Sequence, residues 1–284
     1  MFGRNYYCLV AGLREYTLES EKKGFDAPAI VDEIREELSA ADRKAMELFY
    51  GFCDVENIIS LHSGRSRFNA MGNFSREELE EEMKQPRLLP SWLAEVLEAY
   101  REPESTETEG VDTSLTVERS LYEAYYRECS RSSCRFLREW AEFDRTLRNV
   151  CAALTAREKG LPAGEQLVGG GDVVDALKRS SAADFGLKGE VEYIDRVVAA
   201  VDTDADIVEK EHRIDMIRWD MSEELAAQDY FNINTILSYL VKINLVQRWA
   251  ALDSARGREM YEKLVASFDG RELIRKAEEI NNKQ

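Results

Sequence analysis

The chain has 284 residues, 44% of them hydrophobic, and its 55 acidic against 38 basic side chains give a formal charge of -17. That apolar share supports one large core or two ordinary ones and excludes disorder as the default, while the acidic balance repels nucleic acid and anionic lipid headgroups at long range. The five cysteines, Cys8, Cys53, Cys129, Cys134 and Cys151, form no Cys-x-x-Cys pair, which argues against a disulfide framework or a zinc knuckle and for a reducing, cytoplasmic setting.

Tyr6 to Leu13 (YYCLVAGL) is a short apolar run whose periodicity fits a buried strand or a helical turn equally well. The opening, Met1 to Gly12, lacks the long apolar stretch of a signal peptide, and no run anywhere approaches the roughly 20 residues that span a bilayer. A helix is predicted from Ser39, a plausible N-cap, to Leu61, with Met46, Phe49, Tyr50, Cys53 and Asn57 at helical intervals. Ser75 with Glu78 makes a capping box for a short acidic helix that Pro86 stops, and Pro90-Ser91 opens another to about Tyr100.

Glu102 to Asp112 (EPESTETEGVD) has no large apolar residue and reads as an exposed linker. It divides an N-terminal helical region, 1–101, from a long-helix core region, 114–284, with the linker at 102–113. Ser114 to Lys159 then reads as one uninterrupted helix, ~65–70 Å long at the standard rise and closed by Gly160 and Pro162. Its core face runs through Leu121, Tyr125, Cys129, Phe136, Trp140, Phe143, Leu147, Cys151 and Leu154, a spine for several other helices.

Beyond Gly169-Gly170-Gly171, read as a flexible hinge, helices are predicted near Val173–Arg179, Glu190–Val201, Asp206–Leu225, Asp229–Leu252 and Ser254 to about Ile280. Phe231 to Trp249 is apolar nearly all round, with a narrow polar stripe at Thr235, Ser238 and Lys242, so most of its sides are buried. The class is all-α, built of long antiparallel helices, at least ten of them, with Trp140, Leu147, Leu237, Leu240 and Trp249 deep in the core.

Sites of known chemistry are poorly supplied. Asp202, Asp204 and Asp206 open like a calcium loop, but Ile207 stands where the turn glycine is needed and Arg213 where a bidentate glutamate is needed, so capping of the following helix is the better reading. Glu209 and His212 make one Glu-x-x-His pair, and a di-iron site needs two. The glycine run lacks the Gly-Lys-Ser/Thr ending of a P-loop, and Asp172 would repel an anion there. No catalytic, metal or cofactor residue is therefore assigned, although a buried carboxylate cluster containing Glu56, Glu209 or Asp215 would favour a helical enzyme or ligand-binding protein. Arg127, Arg131, Arg138 and Arg145 lie in one sector opposite the core stripe, as a solvated face or as a docking stripe for an acidic partner.

Four stretches, Tyr6 to Leu13, Phe49 to His62, Phe136 to Gly160 and Phe231 to Leu252, together resemble an uncharacterised bacterial family whose members are usually encoded among V/A-type ATPase subunits. The chain also resembles the central-stalk socket of those machines, in its archaeal and eukaryotic forms. Asp144, Asn149 and Arg157 with Gly160 resemble one helix of that socket family; Phe231, Ile236, Tyr239, Leu240 and Lys242, followed by Arg248-Trp249 in the same stretch, resemble a later one. Ile243-Asn244 departs from the acidic residues usual after that lysine. The resemblance implies three pseudo-repeated helical bundles forming a funnel, a non-catalytic subunit between rotor shaft and membrane rotor ring, no cofactor, peripheral attachment to the membrane through the complex, and a monomer in isolation. A generic helical scaffold unrelated to ATPases is the remaining reading.

Overall fold

The computed structural model describes residues 5–18, 24–101 and 116–252; the predicted linker and the predicted helix from Ser254 lie outside them. Among the described residues there are eleven α-helices and no strand. The chain is all-α. The ambiguous N-terminal run forms α1, Tyr7–Gly12, a short helix with no buried residue of its own.

A helix absent from the expected elements follows it. In α2, Ala27–Glu37, Asp26 caps the first turn by accepting from the Ala29 amide at 3.1 Å, Pro28 stands where no amide partner is needed, and Ala27, Val31 and Ile34 face the core. Next come α3, Ala40–His62, and α4, Arg76–Glu82. Ser39 and the Ser75–Glu78 capping box start them as the sequence predicts. α5, Ser91–Arg101, completes the N-terminal set.

The long helix predicted from Ser114 is instead two helices. α6, Val117–Ser130, ends at Arg131, and α7, Arg135–Glu158, begins after Cys134. The intervening Ser130-Arg131-Ser132-Ser133 offers side chains that compete for backbone groups, and the Ser132 hydroxyl accepts from the Cys134 amide at 3.2 Å. α6 then packs back along α7. At the standard rise α7 spans ~36 Å, about half of the predicted rod.

α8, Asp172–Arg179, α9, Ile194–Val201, α10, Ile207–Ala226, and α11, Ile233–Ala251, complete the fold. α7 touches α6, α8, α9, α10 and α11, so the spine role falls to it alone. Asp206 caps α10 by accepting from the Glu209 amide at 2.8 Å, which is the capping reading of the aspartate run. Gly160, at φ 65, closes α7, with the Leu161 amide donating to the Ala156 carbonyl at 2.8 Å.

The apolar interior forms two clusters. One gathers α2, the first half of α3, α7, α9, α10 and α11; the other gathers the second half of α3 with α4, α5 and α6. Both include residues from either side of the 102–113 segment, because α3 runs through both. Trp140, Leu147, Leu237 and Leu240 are buried as predicted. Trp249 is only half-buried: its ring packs edge-on against His212 while its indole N–H reaches inward.

Candidate functional site

Polar side chains buried between α3, α6, α7, α10 and α11 form a feature that apolar packing does not explain. Asp215 of α10 has a fully buried side chain, and burying a lone carboxylate is costly unless it is paired and hydrogen-bonded. Arg248 of α11 donates to both its oxygens at 2.8 and 2.7 Å, Arg218 donates to Oδ1 at 2.8 Å, and the Trp249 indole donates to Oδ2 at 2.9 Å. The network leaves the core through Arg248, which also pairs with the half-exposed Glu211.

Arg218 extends the network to α7, its Nε lying 3.7 Å from Asp144. Burial opposes the Arg218 charge, but Asp144 and Asp215 outweigh it and hold the guanidinium above its ordinary value. Asp144 accepts from the Tyr126 hydroxyl of α6 at 2.7 Å. Burial, then the Asp144 charge, push the Tyr126 phenol well above its usual range, so it stays a donor.

One turn on, Arg148 lies over the Tyr122 ring at 4.0 Å, and its Nε is buried without a hydrogen-bond partner. Burial opposes its charge too, and the surrounding Tyr126, Tyr122, Asp144 and Glu56 keep it protonated. Across from it, burial raises the Glu56 carboxyl of α3 while Arg148 and Arg67 draw it back down. Cys151, on the same face of α7, has its thiol pushed up to about 11 by burial and is not poised as a thiolate.

The remaining residues carried by the resemblance also hold elements together. Asn149 accepts from the Val168 amide and donates to the Val168 carbonyl, both at 2.9 Å, binding the loop after α7 as a strand partner would. Arg157 donates to the carbonyls of Ser180 and Ala182 at 3.1 and 2.9 Å and lies 3.8 Å over the Phe185 ring. Tyr239 donates to the Arg14 carbonyl at 3.0 Å, Lys242 pairs with Glu223, and the Phe231 carbonyl accepts from the Tyr6 amide.

The four arginines proposed as a stripe do not share one helix face, because the break at Ser132-Ser133 separates them. Arg127 lies on α6 and Arg131 caps it; Arg138, on α7, donates to the Ser132 carbonyl at 2.7 Å. Arg145 packs against Gly169, where an added Cβ would stand 3.2 Å from its Nη1. The glycine run is pinned as well: the Gly169 amide donates to the Glu123 carboxylate at 3.0 Å, where a phosphate cradle would need open amides. Glu209 pairs with Arg213, and the His212 ring packs edge-on against Trp249.

The sequence alone points to Asp144, Asp215, Glu56, Arg248 and Trp249 but not to Tyr126, Arg148 and Arg218. The i,i+4 spacing of Asp144 with Arg148 and the i,i+3 spacing of Asp215 with Arg218 are the signals it holds for the two arginines. Among the described residues no group of three or more His, Cys, Asp or Glu could hold a metal ion, and no helix is long and apolar enough to cross a membrane. The family model described as "Protein of unknown function (DUF2764)" matches residues 3–270. No curated protein and no solved structure matches the chain.

Proposed function

The chain belongs to the DUF2764 family of proteins of unknown function, and we propose that it is a non-catalytic subunit of a bacterial V/A-type ATPase, seated in the central stalk between the rotor shaft and the membrane rotor ring. The observation that carries the reading is what the side chains of α7 do. Asp144, Asn149 and Arg157, the residues that resemble the stalk socket, engage α6 with α10, the loop at Val168, and the carbonyls after α8. A spacer that transmits torque needs its helices locked to one another, and a charge network linking α6, α7, α10 and α11 resists their sliding. The carboxylates of Asp215 and Asp144 are each engaged by arginine, an arrangement suited to holding elements rather than to proton transfer.

On this reading the protein is a monomer in isolation. It sits at the cytoplasmic membrane face without entering lipid, and it takes no cofactor. The test is affinity purification from the native host through a tag on this chain, in mild detergent, with low-salt and raised-salt washes. Co-recovery of shaft and ring subunits at stoichiometric levels is expected. The tagged chain emerging alone at low salt would reject the stalk role.

A second reading keeps one observation: Glu56 is raised by burial and has the Arg148 and Arg67 charges near it, and the Arg148 Nε is buried without a hydrogen-bond partner. As a general acid it would make the protein a helical enzyme. Glu56→Gln separates the two readings, since a structural subunit carrying it should still join the ATPase and support ATP-driven pumping at the wild-type rate.

A further inference from the structure

We propose that the open end of the α10–α11 hairpin is a docking surface for this chain's own C-terminal segment, whose stretch 260–268 folds back onto it; neither surface nor occupant depends on the stalk reading. The register of the hairpin defines the surface. Ser238 donates to the Ser222 carbonyl at 2.7 Å, Lys242 lies over the Trp219 ring at 5.1 Å, Arg248 and Trp249 both donate to Asp215, and Trp249 meets the His212 ring. Each step along α11 away from the turn is thus matched by a step back along α10. Ile207 and Val208 stand one turn before Glu211 and His212, on the side of α10 that meets α11, and Leu252 stands one turn beyond Arg248, so the register places Leu252 beside them. Ile207 is 70% exposed, Val208 55% and Leu252 58%. The seam between the two helices ends in a cluster of exposed aliphatic side chains, with the half-buried Trp249 behind it, and such a cluster marks a contact surface.

The chain leaves this patch at Leu252 and continues through residues 253–284. Met260, Tyr261, Leu264, Val265 and Phe268 recur there at helical intervals, bounded by Gly257 and Gly270 and separated by polar residues. So short an amphipathic stretch is marginal as a helix in water and needs a surface against which to bury its apolar face. Gly257 supplies a point of reversal between Leu252 and Met260. The chain from Leu252 to Met260 spans at most about 28 Å when fully extended, so the stretch starts within reach of the patch. A tether that short holds it at an effective concentration in the millimolar range, which a second copy or another protein would have to match. The matching family model runs to residue 270 and so takes in this stretch.

Charge favours the same occupant. Residues 202–213, which lead into and begin α10, hold five acidic and two basic side chains, so this rim repels an acidic partner, the acidic body of a second copy included. Residues 253–284 hold seven acidic and seven basic side chains, so the net charge of -17 lies wholly within 1–252 and the segment is net-neutral. Arg256 and Arg258, just ahead of the apolar stretch, suit the acidic rim.

The experiment places photo-crosslinking benzoylphenylalanine at Val208 or, as a control in the loop before α5, at the exposed Leu88, in the purified full-length protein, and maps the products by mass spectrometry. The expected product has the mass of one chain, joins position 208 to the stretch 260–268, keeps its yield on dilution, and is absent from position 88. Leu264→Asp with Phe268→Asp should lower that yield roughly tenfold, and so should Ile207→Asp on the surface itself. Ile207 is exposed and belongs to neither apolar cluster, so its replacement leaves the core intact. A product with the mass of two chains, a yield that falls on dilution, a product elsewhere in the chain, equal labelling from position 88, no product at all, or an unchanged yield in either variant overturns the docking.

Discussion

At the scale of single residues, Asp215 governs the interior because it is fully buried yet answered by two arginines and an indole. Removing one member of such a pair leaves the others charged and uncompensated, which costs far more than the intact pair contributes. Asp215→Ala should lower the unfolding free energy by about 3–5 kcal/mol in urea titration. A loss below about 1 kcal/mol would mean that the network is hydrated and loose. Asp54 makes a different prediction. It accepts from the Asn73 amide at 2.8 Å and from the Asn73 side chain at 2.6 Å, holding the loop after α3, yet burial raises its carboxyl to about 6. Because the folded state binds this proton more tightly than the unfolded state, the Asp54 contribution is fully present below its unfolded value of about 4. It is then lost as pH rises to about 6. Comparison of wild type with Asp54→Asn between pH 4 and 6 should show the wild type losing stability on the order of 2–3 kcal/mol relative to the variant. Parallel pH profiles would contradict this.

At the scale of elements, caps are legible in the sequence and tertiary reversals are not. Ser39, the Ser75–Glu78 box, Asp206 and Gly160 act within one turn of chain, so each can be read from neighbouring residue types. The break between α6 and α7 is set by packing of one helix on the other. Its trace in the sequence is the seven-residue step from Cys129 to Phe136, with Ser132 and Ser133 where the stripe needs an apolar side chain. Without that reversal four arginines join into one stripe, and Tyr126 and Arg148 are hidden as facing residues of two helices. α2 is legible in the spacing of Ala27, Val31, Ile34 and Leu38, although it is absent from the expected elements. Asn149 tests how far α7 organises its surroundings, since it satisfies both backbone groups of a buried Val168. Asn149→Ala should destabilise the protein by about 2–4 kcal/mol, because two buried backbone groups lose their partners. Hydrogen exchange should show the Val168 amide opening ahead of α7. An amide as protected as in wild type would show that the loop is held by something else.

At the scale of the whole molecule, two apolar clusters share α3, and α7 reaches five other helices. Stress applied at one end would thus be carried by packed helices joined at Asp144, Asp215 and Arg248 rather than absorbed at a hinge. That rigidity is what the proposed stalk subunit requires. The proposal is tested most directly by cryo-electron microscopy of the ATPase purified from the native host through its catalytic subunit. Density for the eleven described helices, in a single copy, on the rotor axis between shaft and ring is expected. An intact machine whose central stalk is complete without this chain would contradict it.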